Sequence, residues 1–378
     1  MKCEKSEQIR NFFQKVAARF NIAAIPGDGI GREVLPEAIR VLEAVARKFD
    51  FEFCWQSFDW SCDYYKRYGQ MMPEDGIETL RRFDSIFLGA VGFPDVPDHV
   101  SLWGLLIPIR RSFQQYVNLR PAKLCAGVAS PLSNKRPGEI DLVIVRENTE
   151  GEYSEIGGRH HEGTDQERVV QESIFTRRGC DRVLRYAFEF ARKRKRHVTS
   201  ATKSNGIIHS MPYWDERFAA VAAGFPDVSA DQYHIDILCS HFVTRPETFD
   251  VVVASNLFGD ILSDLSAAIV GSIGIAPAAN INPTRDSPSM FEPVHGSAPD
   301  IAGRGIANPL AQIRTGAMML EHLGESKAAA AIETAVQRIL AENGPRTRDL
   351  GGSASTAEVA DAVIAALQNK SLVPLPPK

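Results

Sequence analysis

The chain has 378 residues, enough for two to three domains at about 150 residues each. Hydrophobic residues at 44% and charged residues at 24% exclude an intrinsically disordered chain. The net charge of −4, from 43 Lys+Arg against 47 Asp+Glu, gives no general electrostatic basis for holding nucleic acid or an anionic membrane.

Met1–Phe20 carries charges throughout and lacks the apolar core of a secretory signal. Its Ile9, Phe12, Phe13, Val16 and Phe20 suit an extra docked helix or a start-site extension. Asn21–Ile25 reads as a short strand ending in the turn Gly27-Asp28-Gly29-Ile30-Gly31. A helix pattern follows, with Val34, Leu35, Ala38, Val41, Leu42 and Val45 on one face and Pro36 near its first turn. Phe51, Phe53 and Trp55 alternate as in a strand. Ser85–Val91, Leu142–Val145 and Val251–Ala254 read as buried strands, and helical stretches lie near Cys180–Arg192, Asp260–Ile269 and Ala311–Leu323. The basic run Arg192–Arg196 reads as a solvated helix end. The uncharged stretch Leu265–Thr284, with Gly271, Gly274, Pro277 and Pro283, suits a loop-and-turn region better than a membrane span. Ser371–Lys378 is a Pro-rich tail, expected to be disordered or draped over the surface. Strands alternating with helices predict an α/β protein with a largely parallel sheet, whose sites gather at the carboxyl ends of strands.

Six cysteines without a C-x-x-C pair suit reduced thiols in a cytoplasmic protein, not a zinc ribbon or a redox pair. The glycine turn fails the dinucleotide fingerprint, because G-x-G-x-x-G needs glycine where Arg32 stands. It is read as a tight turn.

Two groups of residues carry chemistry. Asp260 and Asp264 are four apart, on one face of a helix that follows a valine-rich strand. Like charges at that spacing repel, so they are either acidic capping of a first turn or hard oxygen ligands for Mg²⁺ or Mn²⁺. Arg110 follows the apolar run Leu105–Ile109, Arg120 lies in Asn118-Leu119-Arg120-Pro121, and Arg146 comes directly off the buried strand Leu142–Val145. A guanidinium fork matches a carboxylate, so three of them beside a metal pocket suggest a polyanionic small substrate.

The chain resembles the metal-dependent β-decarboxylating dehydrogenases, which include isocitrate, isopropylmalate, tartrate and D-malate dehydrogenases. The resemblance runs from about Asn21 to Asn369. It rests on GDGIG (27–31), GAVG (89–92), NLRPAK (118–123), VRENTEGEY (145–153), TKSNG (202–206), FDVVVASNLFGDILSD (249–264) and FEPVHGSAPDIAGRGIANP (291–309). It implies the two-domain isocitrate/isopropylmalate dehydrogenase α/β fold, not a Rossmann fold. Residues 1–115 and 272–378 would form the large domain and 116–271 the small domain with the dimer interface.

The resemblance also implies roles. Arg110, Arg120 and Arg146 would clamp the substrate carboxylate, with Arg110 favoured over Arg111 by register. Asp260 and Asp264 would be metal ligands, joined by Asp236 from the other subunit. Tyr153 and Lys203 would be catalytic, Lys203 being donated across a homodimer with shared active sites. His295, Gly296, Ser297, Ala298, Asp300 and Asn308 would hold the cofactor. Asp300 accepts from a free ribose 2′-hydroxyl and repels a 2′-phosphate, which favours NAD. Mn²⁺ or Mg²⁺ is implied, with K⁺ left open as an accessory ion, and oligomers above the dimer are left open too. Trp103 stands where isopropylmalate enzymes resemble a glutamate, and its ring could fill the space of an isopropyl group. With VPDHVSLWG (96–104), FDWSCDYYKRYGQMMP (58–73) and MPYWDERF (211–218), it points to the D-malate/tartrate branch. The expected substrate is D-malate, then tartrate, then 3-isopropylmalate. A non-catalytic regulatory subunit is disfavoured because Tyr153, Lys203, Asp236, Asp260 and Asp264 are all present. A nucleic-acid binder using Arg192–Arg196 has no supporting motif.

Overall fold

The computed structural model describes residues 18–368. The extra helix expected within Met1–Phe20 and the Pro-rich tail lie largely or wholly outside them. The strands are β1 (Ala18–Gly27), β2 (Phe51–Ser57), β3 (Ser85–Ala90), β4 (Val117–Lys123), β5 (Asp141–Glu147), β6 (Gly157–His160), β7 (Arg168–Gln171), β8 (His197–Thr202), β9 (Ser229–His234), β10 (Val251–Ala254), β11 (Pro277–Ile281) and β12 (Ser289–Pro293). The helices are α1 (Gly31–Phe49), α2 (Cys62–Tyr68), α3 (Gly76–Leu80), α4 (Asp98–Ser101), α5 (Ile107–Ser112), α6 (Arg177–Ala191), α7 (Ser210–Ala222), α8 (Ile235–Thr244), α9 (Asn256–Ile269), α10 (Leu310–Leu323), α11 (Ser326–Ala341) and α12 (Thr356–Gln368). A π-helical turn, Leu102–Leu106, joins α4 to α5.

Ten strands form one sheet in the order β2-β1-β3-β12-β11-β4-β5-β10-β8-β9, and β6 and β7 form a separate hairpin. Both wings are parallel, as predicted. The centre is antiparallel, where β11 runs between β12 and β4, and β4 beside β5. One wing is drawn from the chain's two ends and the other from its middle. The valine run of β10 and the apolar run of β3 are buried throughout, because helices cover both faces of a parallel sheet. Val34, Leu35, Ala38, Val41, Leu42 and Val45 of α1 are all buried, and α1 packs on α10 and α12. Under α6 and α7, Trp214 is fully buried and Phe188 stacks on Phe225 at 5.1 Å.

Three expectations need correction. Pro36 lies in the second turn of α1, because the helix already starts at Gly31. Its missing N–H leaves the Arg32 carbonyl without the usual helical donor. The stretch Leu265–Thr284 is not a loop-and-turn region alone, since it holds the end of α9 and all of β11, whose five residues are buried. Asparagines there satisfy their amides inside the sheet, so an uncharged, turn-like composition hides a core strand. The basic run is not simply solvated either. Arg192 pairs with Asp227 at the surface, but Arg194 joins the 1%-exposed Asp250 at 2.7 Å and Asp141 at 2.8 Å. Removing one partner of a buried pair strands the other, so Arg194→Ala should cost about 3 kcal/mol. Urea unfolding checks this, and a loss below about 0.5 kcal/mol would show the pair to be surface-like.

Among the described residues no helix is long and apolar enough to cross a membrane. Cys54, Cys62, Cys125, Cys180 and Cys239 are free thiols.

Candidate active site

At the antiparallel centre of the sheet a cleft of about 190 Å³ collects Arg110, Arg120, Arg146, Tyr153, Asp260 and Glu292. Arg110 comes from α5, Arg120 from the middle of β4, Arg146 from the end of β5 and Asp260 from the second turn of α9. The helix α9 begins at Asn256, four residues earlier than its expected start. Gly259 lets α9 lie against β5: a Cβ there would meet Arg146 Cγ at 2.5 Å.

The three arginines are buried, and each has an anion. Arg146 Nη1 donates to Asp260 Oδ1 at 2.5 Å and Arg120 Nη1 donates to the same oxygen at 3.0 Å. Arg110 Nη2 donates to Glu292 Oε1 at 2.6 Å. Burial pulls the Arg146 guanidinium down to about 10, so it stays cationic at neutral pH. Partial burial pushes the Asp260 carboxyl up, but Arg146, then Arg120 and Arg110, outweigh it and hold it below the usual carboxylate range. The Tyr153 hydroxyl donates to Asp260 Oδ2 at 3.2 Å. Burial, followed by the Asp260 charge, pushes the phenol above its ordinary value, so it remains a proton donor across the neutral range.

Asp264 is exposed one turn beyond Asp260, 3.8 Å from Arg120. Asp236 is not with them. Its carboxylate accepts from Lys203 Nζ at 2.8 Å, which holds it below the usual range, and neither residue lines the cleft. Among the described residues of one chain no group of three or more His, Cys, Asp or Glu side chains could hold a metal ion. Two hard carboxylates with an exposed edge fit a divalent cation, and they leave room for further oxygen ligands.

The predicted cofactor loop runs from β12 to α10. His295 and Gly296 line the same cleft as the arginines. A Cβ on Gly29 (φ 53°) would meet the Ser297 carbonyl at 2.0 Å, and that carbonyl accepts from Ile30 N at 2.8 Å. The glycine turn that failed the dinucleotide fingerprint therefore serves as a seat for this loop. Glu33 of α1 accepts from the backbone N–H groups of Gly303 and Gly305. Ala298 has a left-handed φ of 41°. Burial lowers the His295 pKa, leaving a neutral ring. Its Nδ1 lies 3.0 Å from the Gly296 carbonyl, which can only accept, so Nε2 carries the lone pair. That Nε2 is buried with no hydrogen-bond partner, a feature that suits a ligand's donor group. Asp300 is exposed, and Asn308 is buried with its Nδ2 donating to Asp349 Oδ2 at 2.9 Å.

Residues 21–363 match the family described as isocitrate/isopropylmalate dehydrogenase. This chain belongs to that family. It is 60% identical over 350 residues to D-malate dehydrogenase [decarboxylating] of Escherichia coli K12, covering 90% of this chain and 97% of that one. It is 59% identical over 356 residues to tartrate dehydrogenase/decarboxylase of Pseudomonas putida, covering 92% and 97%. The crystal structure of isocitrate dehydrogenase from Methylococcus capsulatus matches with a TM-score of 0.84 at 34% identity, covering 93% of this chain and 100% of that one. The protein is thus a decarboxylating hydroxyacid dehydrogenase with the isocitrate dehydrogenase-like fold.

Within this dehydrogenase site the structure differs from the sequence reading in three respects. Trp103 does not line the cleft, whose apolar edge from that segment is Leu102 and Leu106. The Trp103 ring instead lies 5.0 Å from the Arg111 guanidinium, and Arg111 Nη2 donates to the Tyr153 carbonyl at 2.6 Å. The residue set aside in favour of Arg110 therefore braces the backbone of the tyrosine. Asn256 was overlooked, yet its Oδ1 accepts from both Arg146 Nε at 3.1 Å and Nη2 at 2.7 Å. Glu292 was also overlooked, though it sits in the quoted motif 291–309. An acidic residue between Phe and Pro in an otherwise apolar run was the available signal.

Proposed function

We propose that this chain catalyses the NAD-dependent, divalent-metal-dependent oxidative decarboxylation of D-malate to pyruvate and CO₂. The convergence of three buried arginines on one cleft with Asp260 and Tyr153 carries the reading. Arg110, Arg120 and Arg146 bind the carboxylate that is lost with the N–H donors that their protein anions leave free, among them the unpartnered Nε of Arg110 and of Arg120. Asp260 and Asp264, with Asp236 of a second copy, would hold Mg²⁺ or Mn²⁺. Bound there, that ion would supply Lewis acidity toward the substrate hydroxyl, and NAD would supply a hydride acceptor. Lys203 of the second copy takes the hydroxyl proton. Tyr153, protonated and aimed by Asp260, returns a proton to carbon after CO₂ leaves.

NAD is preferred to NADP because the exposed Asp300 carboxylate would repel a 2′-phosphate. The orphaned lone pair of buried His295 would accept from the cofactor, and Gly296, with open space where a side chain would project, lets it approach. The Lys203–Asp236 pair outside the cleft favours a homodimer with shared sites. So do the exposed Ile237 and Val243 of α8 and Leu257 and Ile261 of α9. The split into domains 1–115 with 272–378 and 116–271 belongs to the same proposal, supported by two parallel wings drawn from those parts of the chain. A cytoplasmic location suits the free thiols.

Tartrate is the second reading, favoured by the 59% identity to a tartrate enzyme. Steady-state kinetics with Mn²⁺ and NAD on D-malate, L-malate, meso- and L-tartrate and 3-isopropylmalate should give D-malate the highest kcat/KM. A higher value for 3-isopropylmalate would overturn the substrate, and a preference for NADP would overturn the role of Asp300.

A further inference from the structure

Asn280 lies at the middle of the antiparallel junction and is fully buried. Its side-chain amide makes four hydrogen bonds. Oδ1 accepts from Asn118 Nδ2 at 2.7 Å and from Asn148 Nδ2 at 2.9 Å. Nδ2 donates to Glu292 Oε1 at 2.7 Å and to the Met290 carbonyl at 3.4 Å. A carboxylate and a carbonyl can only accept, so the amide has one possible orientation. The same Glu292 oxygen takes Arg110 Nη2 at 2.6 Å.

The neighbours of this amide are also neighbours of the clamp. Asn118 and Arg120 are two apart on β4 and so share a sheet face. Asn118 is the cross-strand partner of Arg146. Asn148 follows the end of β5, two residues past Arg146, and lines the cleft. One amide therefore reaches the segments that carry Arg120 and Arg146, and reaches Arg110 through Glu292. A buried amide is costly unless every polar atom is partnered, so an aliphatic side chain would pack there at lower cost. What an aliphatic residue could not do is donate to Glu292.

We propose that Asn280 is a positioning residue for substrate binding, orienting Glu292 and through it Arg110. This rests on the reading of Arg110 as a holder of the substrate carboxylate. N280D keeps the size and both acceptor contacts but turns the donor facing Glu292 into a second carboxylate. The two carboxylates repel in a buried site, and Glu292 is driven off Arg110. The KM for D-malate should rise about ten-fold or more while kcat stays within about three-fold. The dissociation constant for NADH, read by fluorescence titration, should stay within about two-fold. N280L removes the donor facing Glu292 without adding a charge, so the KM should rise by about three-fold or more with kcat again within about three-fold.

A wild-type KM for N280D or for N280L would overturn the proposal. If N280D does not fold, N280L decides: a KM raised about three-fold or more supports the chain and a wild-type KM overturns it. If the wild-type enzyme turns over none of the hydroxy acids above, the functional reading fails. The network is then judged by crystal structures. Arg110 leaving Glu292 in N280D supports it, and an unmoved Arg110 in N280D overturns it.

Discussion

Asp260→Asn should lower kcat/KM for D-malate by roughly 1,000-fold, about 4 kcal/mol of transition-state stabilisation. One carboxylate serves Arg146, Arg120 and Tyr153 at once, at 2.5, 3.0 and 3.2 Å. Asparagine keeps the shape but removes the charge. Arg146 and Arg120 then face each other with no anion between them, and the phenol of Tyr153 loses its acceptor. The proposed metal site also falls from two carboxylates to one on this chain, so half-saturation by Mn²⁺ should move up by at least about ten-fold. The cost in stability should be smaller, about 1–2 kcal/mol, because the Asp260 side chain keeps 37% exposure and solvent screens what is lost. Metal-titrated kinetics beside urea unfolding separates the two effects. A variant that loses activity only in proportion to its folded fraction would reduce Asp260 to a structural ion. Chelation of wild type by EDTA, reversed by Mn²⁺, should reproduce most of the loss without unfolding the chain.

The wings of the sheet were readable because apolar runs such as Val251–Ala254 end directly in polar residues. A strand buried on both faces leaves no other pattern, and α/β sites lie where such strands stop. Asp260 and Arg146 stand out for that reason. The centre was not readable. β11 is Pro277-Ala278-Ala279-Asn280-Ile281, and four of its five residues are of types depleted in strands. It becomes a strand because Asn280 finds Asn118 and Asn148, more than 130 positions away in sequence. No local window contains that pairing. Arg194 was misread for the same reason. In sequence it is one cation in a basic run, and only the fold brings the buried Asp250 beside it. Trp103 shows a further limit: the segment was placed correctly at the cleft, but which residue of a π-helical turn faces inward depends on helical phase. Leu102 and Leu106 face the cleft, and Trp103 braces Arg111.

Lys203→Met should reduce turnover by roughly 1,000-fold while leaving NADH binding intact, since the lysine lies outside the cleft that His295 and Gly296 line. Tyr153→Phe should be similarly impaired, as it removes the only hydroxyl that donates to Asp260 Oδ2 among the described residues. The informative measurement is their mixture. In the proposed dimer each site takes Tyr153 from one chain and Lys203 from the other. A mixed dimer of the two variants then carries one site with both defects and one site with neither. Random assembly from equal amounts makes about half the dimers mixed, and half of their sites are intact, so the mixture should recover about a quarter of wild-type activity. If Lys203 instead reached the cleft of its own chain, every site would keep one defect and nothing would be recovered. Co-expression with two affinity tags, followed by purification of the mixed dimer, gives the sharper form of the result. About half of wild-type turnover is expected per dimer, and activity no greater than that of the parent variants would overturn the shared site. The Lys203–Asp236 contact makes the same point in physical terms. Within one chain it is a lysine beside an aspartate at the surface, and in the proposed dimer a second copy would bring both to Asp260 and Asp264.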